Sequence, residues 1–389
     1  MKLAPVFNEL AQEMQTFRRA LHSRPELSGL EFSTRDALVA KLKTLGFSPQ
    51  IYPDHAGIMA VWPGTSAEAN FCLALRADMD ALPLREETQL PWTSKNSGIM
   101  HACGHDGHMA ILLGVASWLH REGKHYPRPI KLLFQPSEES GDGASQLIAA
   151  GALEKPEVDA IFALHGWPEI PLGTLAVLSR SMMAAVDNFT LEIRGKGGHG
   201  AMPHLARDPI VAAAHLISQS QTLVSRRLPP QESAVLTFGT IVAGKTFNVI
   251  PELCVLKGTL RTLNPEWRAI LREEFSQMVQ QVAQSHGVRA DLVWIESCPP
   301  TVNHPEMAEK VREAIIRALG SEHLIESPPS MGGEDFSFFL EKIPGAYFWL
   351  GLGMSRGSLH NPHFDFNDEA IATGIAVFAS LITVYMEKA

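Results

Sequence analysis

Four short apolar runs each give way to groups that bind metals or carry protons, and this repeated ending constrains the fold more than any other feature of the chain. Residues 71–75 lead into Arg76-Ala77-Asp78-Met79-Asp80, and residues 130–135 lead into Pro136-Ser137-Glu138-Glu139. Residues 160–164 run into His165-Gly166-Trp167, and residues 347–353 precede a loop carrying His360-Asn361-Pro362-His363. Apolar runs of this length, bounded by loop residues, are the pattern of buried strands. Open α/β sheets bind ligands beyond the carboxyl ends of their strands, so the four endings predict an α/β domain with one polar site. Its central sheet is expected to be mixed and flanked by helices.

The segment Met100-His101-Ala102-Cys103-Gly104-His105-Asp106-Gly107-His108 packs a thiol, three imidazoles and a carboxylate into nine residues. In extended backbone Cys103 and His105 point the same way, and a thiolate beside a neutral imidazole suits a borderline divalent metal. The apolar stretch 109–120 predicts a buried helix, with the cluster on the loop entering it. Taken singly, each polar residue has an ordinary reading: Asp78 or Asp80 as a helix cap, Glu138 and Glu139 as solvated charges, Cys103 as an inert thiol, His165 and His360 as satisfied histidines. Taken together, Cys103, His105, Glu139, His165 and His360 supply the ligand types that hold a pair of ions such as Mn, Zn, Co or Ni. If Glu139 is a ligand, neighbouring Glu138 is left over as a general base.

With 389 residues the chain has room for about two domains. Its 33 basic and 42 acidic residues, without a long basic run, argue against a nucleic-acid partner. Four scattered cysteines (Cys72, Cys103, Cys254, Cys298) do not read as a disulfide framework and fit a reducing compartment. The N-terminus lacks a signal-peptide core, and no apolar stretch reads as long enough to span a bilayer. The expectation is a soluble, cytoplasmic protein without a membrane partner.

Between about residues 185 and 297 the character changes. A strand (189–195), a helix (209–224), two strands (234–241 and 252–260), a helix (265–285) and a strand (290–295) give the order βαββαβ of a split-βαβ, ferredoxin-like unit. In the second helix Trp267, Ile270, Leu271, Phe275, Met278 and Val282 are expected on one apolar stripe. The predicted division is therefore a discontinuous catalytic domain, 1–184 with 298–389, interrupted by an inserted α+β domain, 185–297. Both crossings would lie near one hinge, by Ala184 and Cys298, which suits a lid over a site. The insert has a glycine-rich loop around His199, for which a plain tight turn is an equal alternative. It also has Asn248 and Arg261, donors suited to a carbonyl oxygen and a carboxylate. Residues 327–336 read as the clearest remaining loop.

Several motifs, in order along nearly the whole chain, resemble one family. They are His22-Ser23-Arg24-Pro25-Glu26-Leu27-Ser28, Leu75 through Pro83, Met100 through His108, Gln135-Pro136-Ser137-Glu138-Glu139, Leu164-His165-Gly166, Gly197-Gly198-His199, Asn248-Val249-Ile250-Pro251, Gly332-Gly333-Glu334-Asp335-Phe336 and Leu359-His360-Asn361-Pro362. Together they look like the bacterial hippurate hydrolase and plant auxin-conjugate hydrolase group, metal-dependent amidohydrolases of the aminoacylase and carboxypeptidase superfamily. The resemblance implies two divalent metals held by Cys103, His105, Glu139, His165 and His360, with Glu138 as general base. It implies a lid that mediates a homodimer, higher assembly being left open, and gives His199 the task of polarising the substrate carbonyl in a neighbouring subunit. Asn248 and Arg261 follow as substrate contacts.

One departure is informative. Many superfamily members have a metal-binding histidine where Arg76 stands, and a guanidinium is no ligand. Arg76 thus favours the narrower, cysteine-containing group and leaves Asp78 to orient a ligand histidine. Gly200 replaces a common alanine, with little consequence expected because glycine keeps the turn open. The implied reaction is hydrolysis of the amide joining an acyl group to an amino acid. A dipeptidase or carboxypeptidase, a thiol hydrolase using Cys103, and a metal-stabilised binding protein without turnover stand as rivals.

Overall fold

The computed structural model describes residues 3–66, 71–123 and 126–387. The first part of the chain runs α1 (Pro5–His22), α2 (Phe32–Thr44), β1 (Gln50–Ile51), β2 (Ile58–Trp62), β3 (Phe71–Asp78), α3 (His105–Arg121), β4 (Ile130–Gln135), α4 (Gly143–Ala149), β5 (Glu157–Trp167), β6 (Leu175–Ala176) and β7 (Ser181–Met183). An interrupting stretch follows, with β8 (Ala185–Arg194), β9 (Gly198–His199), α5 (Pro209–Thr222), β10 (Ala234–Ala243), β11 (Val249–Ile250), β12 (Leu253–Thr262), α6 (Pro265–His286) and β13 (Arg289–Cys298). The chain closes with β14 (Thr301–Val302), α7 (Pro305–Leu319), α8 (Ser337–Leu340), β15 (Gly345–Gly351) and α9 (Ala370–Glu387).

Two compact units result: residues 1–182, 302–328 and 335–389 form the first, residues 183–301 and 329–334 the second. The loop 329–334, assigned by sequence to the catalytic domain, packs with the insert. Met183 bridges to Ser330, and the Ala184 N–H donates to the Gly332 carbonyl at 2.9 Å.

The first unit is built on a seven-stranded sheet in the order β1-β2-β4-β3-β5-β15-β6. Its central strands β4, β3, β5 and β15 are parallel, and β2 and β6 join antiparallel at either side, so the sheet is mixed as expected. β3 is buried at every position after Phe71, which explains why it reads as a continuous apolar run. Helices α1, α3, α7 and α9 pack on one another and share one core with the strands.

Helix α3 is buried from His105 through Leu119 and begins four residues earlier than its apolar pattern suggests. The terminal helix α9 corrects another expectation: it is long and apolar enough to cross a bilayer, yet 83% of that span is buried inside the protein. Length and apolarity alone do not separate a core helix from a spanning one.

The second unit carries a four-stranded sheet, β10-β12-β8-β13, antiparallel throughout, which is the strand order of the ferredoxin-like unit. Its helices begin at side-chain caps. Asp208 accepts from the Ile210 N–H, Asn264 accepts from the Glu266 N–H at 2.9 Å, and a proline opens each helix. Gly287, left-handed at φ 63°, ends α6. The buried stripe of α6 is Leu271, Phe275, Val279, Val282 and Ala283, with Trp267 and Met278 partly buried against it. Ile270, expected on that stripe, is exposed. Leu271, Phe275 and Val279 repeat every four residues, and Ile270 stands about 100° off that line.

Candidate metal centre

Gly104 adopts the left-handed conformation, φ 87° and ψ 13°, and this single residue turns the chain between Cys103 and the first residue of α3. The extended alternation expected for Cys103 and His105 is therefore replaced by a tight turn into a helix. The turn still brings the Cys103 sulfur, a His105 nitrogen and a His165 nitrogen within 4.8 Å of one another. His165 lies inside β5, opposite Trp349 of β15, and not in the loop beyond the strand. Its Nδ1 faces the Gly166 carbonyl at 2.9 Å, so Nε2 is turned to the Cys103 sulfur at 3.4 Å.

A second group forms on the other side of the same sulfur. Cys103, Glu139 and His360 also have ligand atoms within 4.8 Å, with His360 Nε2 at 3.3 Å from the sulfur and 3.3 Å from Glu139 Oε1. The five sequence-predicted ligands thus assemble as two sets of three with Cys103 common to both, residues that would hold two divalent cations. His360 holds its place with a left-handed backbone, φ 59°, its N–H donating to the Ala102 carbonyl at 2.8 Å.

The carboxylates behind these ligands differ from the expected assignment. Asp80 hydrogen-bonds His105, and Asp78 only approaches it, at 3.9 Å from Nε2: Asp80 Oδ1 lies 3.2 Å from Nδ1, while its Oδ2 accepts from the Glu139 N–H at 2.9 Å and from the Ser28 hydroxyl at 2.7 Å. Asp78 binds His108 Nδ1 at 2.6 Å and the Arg76 guanidinium at 2.7 Å. His108 in turn accepts the Gly166 N–H at 2.8 Å, so both of its nitrogens are engaged. Arg76 also reaches Gln135 at 2.8 Å and Asp335 at 3.0 Å, as a buried cation among acceptors.

The donor set fits divalent cations on an observation of its own. His105 Nε2 is buried without a hydrogen-bond partner among the described residues, 3.9 Å from Asp78 Oδ2 and 4.0 Å from Glu138 Oε2. Burial pulls the His105 imidazole down, yet Asp78 and Asp80 more than offset it and hold it up at about 10. Burial, reinforced by Glu139, Glu138 and Asp78, pushes the Cys103 thiol well above its ordinary range. His165 goes the other way, lowered by burial and by its histidine neighbours, which leaves it neutral and ready to ligate. Such surroundings favour positive charge, and a bound cation would displace the protons from thiol and imidazole.

Below the ligands lies a buried ionic network that sequence reading missed. Arg18 of α1, fully buried, contacts Asp106 at 3.1 Å, Asp365 at 2.7 Å and Asp368 at 2.8 Å. His22 bridges Asp106 at 2.8 Å and Glu86 at 3.2 Å. The network ties α1 to the first turn of α3 and to the segment following His360. The only hint in the sequence was the motif beginning at His22, to which no role was given.

In the second unit, β9 and β11 form a short antiparallel ladder that sets His199 opposite Val249 and beside Asn248. His199 is exposed, and its Nδ1 accepts the Ala201 N–H at 3.0 Å. That bond makes Nε2 the protonated nitrogen of the neutral ring, a donor. Gly200 has a reason beyond an open turn, since a Cβ there would stand 3.1 Å from the Asn248 carbonyl oxygen. Arg261 lies on β12, half-buried, its Nε donating to the Thr259 hydroxyl at 3.0 Å.

A mixed sheet whose parallel central strands gather imidazole and carboxylate at one edge, beside a thiol at a helix start, is the build of a metal-dependent hydrolase, and sequence comparison agrees. The chain belongs to the peptidase family M20/M25/M40, whose profile matches residues 74–384. It is 41% identical to the N-acetyl-L-cysteine deacetylase of Bacillus subtilis over 93% of this chain and 85% of that protein. It is 34% identical to the hippurate hydrolase of Campylobacter jejuni over the whole of both chains, to the nearest per cent. Among solved structures, the Bacillus subtilis YXEP protein, a dinuclear metal binding peptidase from the M20 family, superposes with a TM-score of 0.87 at 32% identity. The match covers 98% of this chain and 100% of that one. The resemblance carried by the motifs therefore holds.

Two measurements probe the centre. Cys103→Ser should lower metal content, read by elemental analysis of the purified protein, together with activity, because a hydroxyl is a poor substitute for a thiolate. His22 sets a stability window. Burial lowers its imidazole, but Asp106 and Glu86 raise it to about 9 from an ordinary 6.5, so its contribution is complete below about 6.5 and is lost as pH climbs through about 9. The urea midpoint of the native protein should fall across that interval, and His22→Gln should flatten the fall; parallel curves for the two proteins would refute the assignment.

Proposed function

We propose that this protein hydrolyses the amide bond of N-acyl amino acids, releasing a carboxylic acid and a free amino acid. The observation that carries the reading is the division between two adjacent carboxylates. Both glutamates have an oxygen within 4.8 Å of a His105 nitrogen, but Glu139 also joins Cys103 and His360, whereas Glu138, 4.0 Å from His105 Nε2, accepts the Asp335 N–H at 3.4 Å. Relatives named N-acetyl-L-cysteine deacetylase and hippurate hydrolase support a small N-acyl amino acid as substrate.

Cys103, His105 and His165 would hold one divalent cation and Cys103, Glu139 and His360 the other, with Mn, Zn, Co and Ni all compatible with these ligands. When bound, such cations polarise a carbonyl and make water more acidic, worth several kcal/mol of barrier. Glu138 takes a proton from the attacking water as the new C–O bond forms, then delivers it to the amine nitrogen as the C–N bond breaks. His199 donates from Nε2 to the carbonyl oxygen as it gains charge, and Asn248 and Arg261 bind the substrate's carbonyl and carboxylate ends.

The reading includes a homodimer through the inserted unit, with His199 serving the neighbouring subunit. Support comes from the exposed apolar side chains near His199, among them Met202, Leu205, Phe247 and Val249. Four free, buried cysteines support a cytoplasmic setting. A thiol hydrolase using Cys103 is the rival reading, and loss of activity on chelation with full recovery on metal return would argue against it.

A panel of N-acyl amino acids assayed beside the matching free-amine dipeptides tests the substrate class; faster turnover of the dipeptides would make the protein a peptidase. Glu138→Gln should keep its metal content while kcat falls about 10²- to 10⁴-fold. Equal loss of metal in Glu138→Gln and Glu139→Gln would remove the division of roles. Coexpressed Glu138→Gln and His199→Ala chains should regain activity as heterodimers, each with one intact composite site. Heterodimers no more active than either parent would confine His199 to its own chain.

A further inference from the structure

Glu138 follows a residue whose backbone is held in an unfavourable conformation. Ser137 has φ 59°, and among the described residues it is one of four non-glycine residues with positive φ, another being the candidate ligand His360. An L-residue leaves this region readily unless its surroundings fix it there. At Ser137 the fixing group is identifiable. Glu31, fully buried at the start of α2 and more than a hundred positions away in sequence, accepts the Ser137 N–H on Oε1 at 2.8 Å. On the far side of Glu138 the Glu139 N–H is taken by Asp80 at 2.9 Å. Two buried carboxylates from separate parts of the chain thus grip the backbone immediately before and after the acid. The loop closes behind them through Gly143, whose N–H donates to the Ser137 carbonyl at 3.2 Å.

We infer that Glu31 is a positioning residue for Glu138: by accepting the Ser137 N–H it keeps Ser137 left-handed and so aims the neighbouring carboxylate at the reacting water. The inference rests on Glu138 being the general base, as proposed above. Glu31 itself touches neither ligand nor substrate in this scheme. Its effect passes through one backbone hydrogen bond, so the charge of Glu31 matters less than the presence of an acceptor oxygen at its position.

The test uses the metal-loaded enzyme with benzoylglycine as probe substrate, and reads kcat, KM, metal content and thermal midpoint. Glu31→Ala should lower kcat by about 10- to 100-fold, the scale of a misplaced catalytic group, with KM and metal content unchanged. Glu31→Gln, whose amide oxygen still accepts the N–H, should stay within about threefold of the native enzyme. Glycine takes positive φ without a side-chain penalty. In a Ser137→Gly background the loss caused by Glu31→Ala should therefore shrink to about threefold or less. That background also supplies the comparison if Glu31→Ala alone does not fold. Unchanged kcat in Glu31→Ala, metal loss in step with kcat, or a loss of tenfold or more in the glycine background would each overturn the inference. The base reading is judged separately: an active Glu138→Gln enzyme overturns it, whereas an inactive one beside a fully active Glu31→Ala removes only the role of Glu31.

Discussion

The parallel direction of β4, β3, β5 and β15 is the constraint on which the centre depends. Because all four strands run the same way, each delivers its final residues to one edge of the sheet, and that edge becomes a concentration of acids and imidazoles no single segment could create. Asp78 and Asp80 arrive from β3, Glu138 and Glu139 from β4 and His165 from within β5, while His360 comes from the segment after β15. Cys103 and His105 enter at the start of α3. The sheet therefore sets the list of groups that can meet, and local turns decide how they meet.

That distinction explains what was legible in the sequence. Strand endings, helix periodicity, the βαββαβ order and the cluster at residues 100–108 are one-dimensional signals, and they pointed to the α/β class, the inserted ferredoxin-like unit and the five candidate ligands that the folded chain brings together. Which carboxylate serves which histidine is not such a signal. Asp78 and Asp80 are two residues apart and share a face in extended chain, so spacing could not say that Asp80 would reach His105 while Asp78 turned to His108 and Arg76. Glu31 and Arg18 act on segments more than eighty positions away, across distances that only the folded chain closes. Helix α9 contradicts the expectation that no apolar stretch reaches bilayer-spanning length, and because burial inside a protein and burial in lipid select the same apolar side chains, only its burial in the folded chain marks it as a core helix.

The ionic network under the centre is an expensive way to join helices. Arg18 is fully buried among Asp106, Asp365 and Asp368, and comparable buried pairs can be replaced by apolar side chains at little or no loss of stability. What charges provide that apolar packing does not is direction. A guanidinium held by three carboxylates permits few alternative arrangements, and those carboxylates belong to the first turn of α3 and to the segment following His360. The lateral slip that an oily interface tolerates is denied to the two segments whose spacing governs the shared sulfur.

The placement of β15 bears on how the chain comes to be folded at all. It lies between β5 and β6, which are close neighbours in sequence, yet it is reached only after the entire inserted unit has passed. During synthesis the ferredoxin-like unit, with its local βαββαβ contacts, emerges while the larger sheet still lacks the strand that joins β5 to the short edge strand β6, and lacks the apolar helix that follows. β5 and β6 must then wait for a partner near the end of the chain, a long-range pairing of the kind that folds slowly and leaves strand edges open in the meantime.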